Sequence, residues 1–226
     1  MELAGTSSGY GPARERFIGQ VFNHLGGALV AFTLIEVVLF RTGLAQIINA
    51  GMRSIPWIAI LGAFMIIGWL ASRAAHEVKS LRAQYAALGV YILAEALIFV
   101  PLLTMANQIA PGSISNAALI TIVATFGLIG VAYTSRKDFS FLGSAIKWGG
   151  VIAIILIVCG AIFGFQLGLF FSVAMVGLAG AAILHDASNI IQNYPEDRYV
   201  GASLQLFASV ALMLWYVLRI LMSLRD

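Results

Sequence analysis

The stretch Trp148 to Leu184, WGGVIAIILIVCGAIFGFQLGLFFSVAMVGLAGAAIL, runs for 37 residues without a formal charge. As one helix it would extend ~55 Å at 1.5 Å per residue, nearly twice the ~30 Å hydrocarbon thickness of a bilayer. It must therefore turn back on itself. Its single amide, Gln166, is bracketed by Gly164 and Gly168, and this is the natural place for a tight hairpin. The stretch thus predicts two spans, about Leu142 to Phe163 and Leu169 to Ile191.

Working outward, four further apolar runs lie upstream: Phe17 to Phe40, Ile55 to Ser72, Ala83 to Ala106 and Ile114 to Thr134. One lies downstream, Tyr199 to Leu218, after the turn Asn193-Tyr194-Pro195-Glu196-Asp197. Each is near the ~20 residues that a spanning helix needs and is bounded by charge, Pro, Gly or polar residues. The fold class expected is an all-α membrane protein, a seven-transmembrane-helix bundle forming one domain over residues 14–226. A six-span arrangement with one re-entrant segment is the alternative, and it would bring both termini to the same side.

Composition excludes a soluble reading. The chain is 61% hydrophobic and 10% charged with a mean hydropathy of +0.95, against roughly 25% charged in soluble domains. Its thirteen Lys and Arg residues give a net charge of +3, yet they are scattered singly with no basic run, so the expected partner is the lipid bilayer and not a nucleic acid. Nine of them (Arg14, Arg16, Arg73, Lys79, Arg82, Arg136, Lys137, Lys147 and Arg198) fall on one side of a seven-span arrangement, and Arg41, Arg53, Arg219 and Arg225 on the other. That asymmetry places the N-terminus in the cytoplasm. Residues 1–13 are rich in Gly, Ser and Thr, lack the regions of a signal peptide, and are expected to form a disordered cytoplasmic tail. Short loops and no targeting segment favour a bacterial inner membrane. The lone Cys159 permits neither an intramolecular disulfide nor a cysteine metal site.

Ionisable groups inside apolar spans are where function is sought, because lipid penalises them. Glu36 lies about four residues from the outer end of the first span and is read as a side chain reaching the interface. Glu95 falls near mid-membrane, about thirteen residues or ~20 Å beyond Arg82. It must be protonated, paired or facing a wet cavity. Asp186 sits near the inner end of the sixth span beside His185, and three residues before Asn189, so Asp186 and Asn189 share a helix face. Arg73 ends the second span on the same side, within reach of an ion pair with Asp186. On the last span Gln205 and Ser209, four residues apart, form a polar stripe that either bonds to a neighbouring helix or lines a pore. Gly127 with Gly130 and Gly177 with Ala181 are read as close-packing positions.

Several segments together resemble one family. Arg136-Lys137-Asp138-Phe139-Ser140-Phe141-Leu142-Gly143, with the preceding Thr125-Phe126 pair, is similar to its loop between spans four and five. His185-Asp186-Ala187-Ser188-Asn189-Ile190 resembles its Asp-containing end of span six, Pro101 fits a proline of span three, and Ala202 through Phe207 to Leu218-Arg219 follows its last span. The family is that of Bax inhibitor-1, the transmembrane Bax-inhibitor-motif proteins, and the resemblance covers essentially the whole spanning region, in the form of a bacterial-type member. It implies a central helix surrounded by the others and a pH-sensitive calcium leak governed by two aspartates near an arginine. By position the first aspartate is Asp186 and the arginine Arg73. The second falls on Ser209, a departure that removes the carboxylate pair whose shared proton would be a natural pH switch.

The function expected is thus an ion-transport protein resembling calcium leak channels, with Asp186, Glu95, Arg73 and Ser209 as pathway or gating residues, Asn189 and Gln205 as lining, and altered pH gating. No resident metal or cofactor is expected, calcium entering only as the carried ion. The alternative is a membrane-embedded regulator or adaptor of another membrane protein such as a protease, contacting it through the tail and the loop Arg73 to Arg82. An enzyme is not expected: His24, His76 and His185 are dispersed, and there is no His-Glu-x-x-His pair and no Gly-x-Ser-x-Gly elbow.

Overall fold

The computed structural model describes residues 11–77, 80–135 and 137–225, without the side chains of 74–77. These form α1 (Pro12–Arg41), α2 (Leu44–Arg53), α3 (Trp57–Glu77), α4 (Leu81–Ile109), α5 (Ser113–Ser135), α6 (Leu142–Phe163), α7 (Leu169–Gln192) and α8 (Tyr199–Ser223), with a 3-10 turn at Glu196–Arg198 leading into the last. Six helices, α1 and α4 to α8, are long and apolar enough to cross a membrane. The pair α2 and α3, bent by 114° at its break, supplies the seventh crossing. The expected tail 1–13 lies mostly outside the described residues, and α1 is already helical from Pro12.

The crossings alternate in direction. At one end Arg14 of α1 donates to the Tyr194 carbonyl at 2.6 Å and sits 3.5 Å from Glu196, tying the start of α1 to the α7–α8 turn. At the other, Arg225 past the end of α8 donates to the Pro111 carbonyl in the α4–α5 turn at 2.6 Å. The first and last helices therefore run in the same direction, and the number of crossings is odd. This rules out the six-span alternative. Because Arg14, Lys137 and Arg198 gather at the first of these ends, it is termed the basic end below.

Local chemistry explains the breaks. Helix α6 stops at Gly164, which adopts a left-handed conformation with φ +75 while its N–H caps the Gly160 carbonyl at 2.9 Å. A β-carbon is disfavoured there, so the glycine makes the sharp exit possible. The short α2 was not anticipated by span counting. It is apolar except for a polar stripe of Gln46, Asn49 and Arg53, and it packs on α1 and α4.

Helix α8 is the centre of the bundle, packing against α1, α3, α4, α5 and α7. Its buried residues run almost consecutively, Val200 to Leu204 and then Leu206, Phe207, Ser209, Val210 and Ala211, as befits a helix enclosed on every side. Helix α4 is also buried on several faces, from Tyr91 and Ile92 through Ile98, Phe99 and Val100, whereas α5, α6 and the start of α7 leave apolar side chains such as Phe126, Trp148, Ile162 and Phe170 exposed. In lipid such side chains are well solvated, so association rests on close fit and hydrogen bonds. Gly180 provides one such fit, where a β-carbon would lie 3.5 Å from Met213 and 3.6 Å from Leu128.

Glu36, expected at the interface, does not reach for it but lies buried at 7% exposure. The reason is its phase: Phe17, Val21, Leu25, Ala28, Phe32 and Glu36 form one stripe on the interior face of α1, so its side chain follows Phe32 into the bundle.

Candidate functional site: a polar cavity at the contact of α7 and α8

The interior stripe of α7 reads Ser172, Met175, Ala179, Ile183, Asp186 and Ile190. Asp186 is thus an acid placed on a core face, 5% exposed, against the central helix. Burying a carboxylate is tolerable only where donors replace water. Helix α8 supplies them from successive turns: Ser209 Oγ donates to Asp186 Oδ2 at 2.7 Å, and Gln205 Nε2 donates to Oδ1 at 2.6 Å. The His185 ring adds Nδ1 at 3.3 Å from Oδ1. Charge-assisted bonds of this length are the stronger class. The acceptor of the same amide, Gln205 Oε1, is buried without a hydrogen-bond partner among the described residues.

These groups line a cavity of about 480 Å³. Its rim carries the exposed Ser72, Ser140, Ser144 and Lys147, and its inner wall Tyr91 and Ser209. The rim lies at the basic end. There Ser188 Oγ accepts from the Phe139 N–H at 3.3 Å and donates to the Lys137 carbonyl at 3.1 Å, while Gln192 donates to the same carbonyl at 2.8 Å. The α5–α6 loop is thereby held over the end of α7. Gly143 of α6 packs directly on the imidazole, since a β-carbon there would lie 3.0 Å from His185 Nε2.

Of the residues singled out from sequence, Asp186, Ser209 and Gln205 come together in direct contact. Arg73 does not join them: its exposed guanidinium lies 5.5 Å over the Trp69 ring, and the partners of Asp186 are Ser209, Gln205 and His185. Asn189 is half-buried one turn beyond Asp186 and outside the cavity lining. Glu95, 5% exposed, sits one turn along α4 from Tyr91 and interacts with its phenol. Tyr91 is therefore the link between Glu95 and the cavity. Tyr91 and Lys147 were not picked out from sequence. A tyrosine four residues before a buried acid on one helix was the available signal for the first.

The family model for the inhibitor of apoptosis-promoting Bax1 matches residues 14–226, nearly the whole chain. The chain belongs to the Bax inhibitor-1 family. No curated protein matches it. In this family member the central α8 and the buried acid of α7 are both present, and Ser209 stands against that acid where the resemblance led one to expect a second carboxylate. A hydroxyl can donate without adding a second titratable acid, so the contact between Ser209 and Asp186 is a single hydrogen bond in place of a carboxylate pair.

Proposed function

We propose that this Bax inhibitor-1 family protein passes cations, calcium among them, across its membrane through the Asp186 cavity, without enzymatic chemistry. The observation that carries the reading is a buried carboxylate at the wall of a polar cavity whose mouth is open between α3, α6, α7 and α8. A structural hydrogen bond between helices would need no such space. The acceptors around it, Asp186, Gln205 Oε1 and the serine hydroxyls, can replace part of an ion's hydration. Lys147 at the rim offsets the acid, so a cation would be held weakly, as conduction requires. Among the described residues there is no group of three His, Cys, Asp or Glu side chains able to hold a metal.

Glu95, behind Tyr91, extends the path toward the middle of the bundle. With the basic end in the cytoplasm, as the positive-inside asymmetry favours, the cavity opens to that side of a bacterial inner membrane. In place of a carboxylate pair, the titratable partner of Asp186 is His185, with Asp138 and Lys147 as the charged groups nearest the ring. Any pH response would therefore follow the imidazole.

The test is calcium entry into proteoliposomes by wild type and by Asp186→Asn with Glu95→Gln. Flux is expected to fall by at least tenfold in the double variant. Unchanged flux would overturn the transport reading and favour the adaptor, which should then co-purify with a membrane partner whether or not these acids are present.

A further inference from the structure

Glu36 takes no part in the cavity, yet it is the most isolated acid in the bundle. Both of its carboxyl oxygens are buried with no hydrogen-bond partner among the described residues. Its position along the bundle follows from the rings beneath it. Phe32, one turn earlier on α1, packs edge-on to Phe99 at 5.1 Å and to Phe207 at 6.2 Å. Phe99 in turn packs edge-on to Trp215 at 5.1 Å. Glu95 lies one turn below Phe99, on the side of the basic end, and Glu36 lies one turn above Phe32. An aromatic layer contributed by α1, α4 and α8 therefore separates Glu36 from Glu95, over about two helical turns or ~11 Å, and its Phe207 ring stands between Phe32 and Tyr91, the inner wall of the Asp186 cavity.

The surroundings offer Glu36 no counter-charge. On α4, Tyr91 and Glu95 are on the other side of the layer. On α8, Tyr216 is turned to Phe171 of α7, and Arg219 donates to the Leu167 carbonyl in the α6–α7 hairpin. Arg53 of α2 and Arg41 of α1 are exposed. The charged groups of α7 and of the 3-10 turn, His185, Asp186, Glu196, Asp197 and Arg198, are all toward the basic end. A carboxylate stripped of water, donors and cations is the least stable form such a group can take.

We propose that Glu36 is a proton-binding site, an uncharged acid that exchanges its proton with the side of the membrane opposite the basic end and is shut off from the Asp186 cavity by the Phe32–Phe99–Phe207 layer. This goes beyond the cation path, and its test does not read flux.

The probe is dicyclohexylcarbodiimide, which partitions into lipid. The O–H of a carboxylic acid adds across one C=N bond to give an O-acylisourea, and acyl migration from oxygen to nitrogen yields a stable N-acylurea that retains every atom of both reactants. Only the protonated acid reacts, so labelling reports the proton. Full-length protein in sealed vesicles of known sidedness is treated at a series of pH values set independently on each side, and the Glu36 peptide is read by mass. Labelling is expected in wild type, faster as the side opposite the basic end is acidified, indifferent to Asp186→Asn, and gone in Glu36→Gln. Phe32→Ala should make the rate respond to pH on the basic side as well. An unlabelled Glu36 peptide, a rate independent of pH, or a rate that follows the basic side in wild type would each overturn the proton site. Unchanged sidedness in a folded Phe32→Ala protein would overturn the barrier. Since wild type alone decides the first point, misfolding of a variant cannot shelter it.

Discussion

The Ser209 hydroxyl donates to the Asp186 carboxylate at 2.7 Å across the contact between the central helix and α7. With that donor removed by Ser209→Ala, Oδ2 loses its only described hydrogen bond in a buried place. Thermal stability in detergent should fall by about 1–3 kcal/mol, the usual penalty for a stranded buried group. Ser209→Asp should instead create the absent pair. Two carboxylates at this separation share a proton, so a titration step missing from wild type should enter the flux–pH profile. An unchanged profile in a folded Ser209→Asp protein would mean that the two side chains do not couple.

His185 lies against the same acid through Nδ1 at 3.3 Å. Protonating the imidazole puts a positive charge beside Asp186 and weakens the attraction for a passing cation. Flux should therefore decline as the basic side is acidified through the titration of His185. His185→Gln retains a polar neutral side chain and should flatten that limb while preserving the alkaline plateau. A parallel decline in the variant would assign the response to another group.

Two glycines of the α6–α7 hairpin provide a matched comparison. Gly164 has φ +75, whereas Gly168 has φ −75 and no atom within 4 Å of where its β-carbon would stand. Gly164→Ala should destabilise by about 1–2 kcal/mol through left-handed strain. Gly168→Ala should stay within about 0.5 kcal/mol of wild type. Equal effects at both positions would refute the role given to Gly164 in turning the chain.

Tyr194 lies in the α7–α8 turn, outside the spanning segments, 3% exposed and stacked on Phe17 at 6.2 Å. Burial pushes its phenol up to about 12, the Arg198 charge opposing and Asp186 adding to the effect. The folded state thus holds the phenolic proton more tightly than the unfolded chain, whose group titrates near ~10. Its stabilisation is complete below that pH and is lost as the pH climbs from ~10 toward 12, by on the order of 2–3 kcal/mol. Tyr194→Phe should show a shallower loss than wild type over that interval in thermal melts in detergent. Identical alkaline slopes would contradict the assignment.

The spans were readable from sequence because lipid imposes length and apolarity directly. Leu142–Phe163 and the start of α7 at Leu169 fall where charge-free length and the Gly164–Gly168 break place them. Helix rotation was harder to read. In a helix apolar on most faces no periodicity marks the inward side, so Glu36, four residues from Phe32, could not be assigned to the core until α1 was seen packed on α4 and α8. The same reason hid Lys147, whose approach to the cavity depends on how α6 leans on α7. Asp186 and Ser209 were visible as polar interruptions, 23 residues apart, but their direct bond depends on the α7–α8 hairpin register. For Arg73, nothing in the sequence showed that its guanidinium would lie over the Trp69 ring.

The parallel packing of α1 on α8 also bears on how the molecule is made. The inward stripe of α1 leaves the ribosome long before α8, the central helix that covers it, because five long helices lie between them in the chain. Until α8 has emerged, Glu36 and the rings beneath it must be sheltered by lipid, by the insertion machinery or by provisional neighbours. Nascent chains that stop short of Tyr199 should therefore remain unfinished bundles, open along the seam that α8 closes.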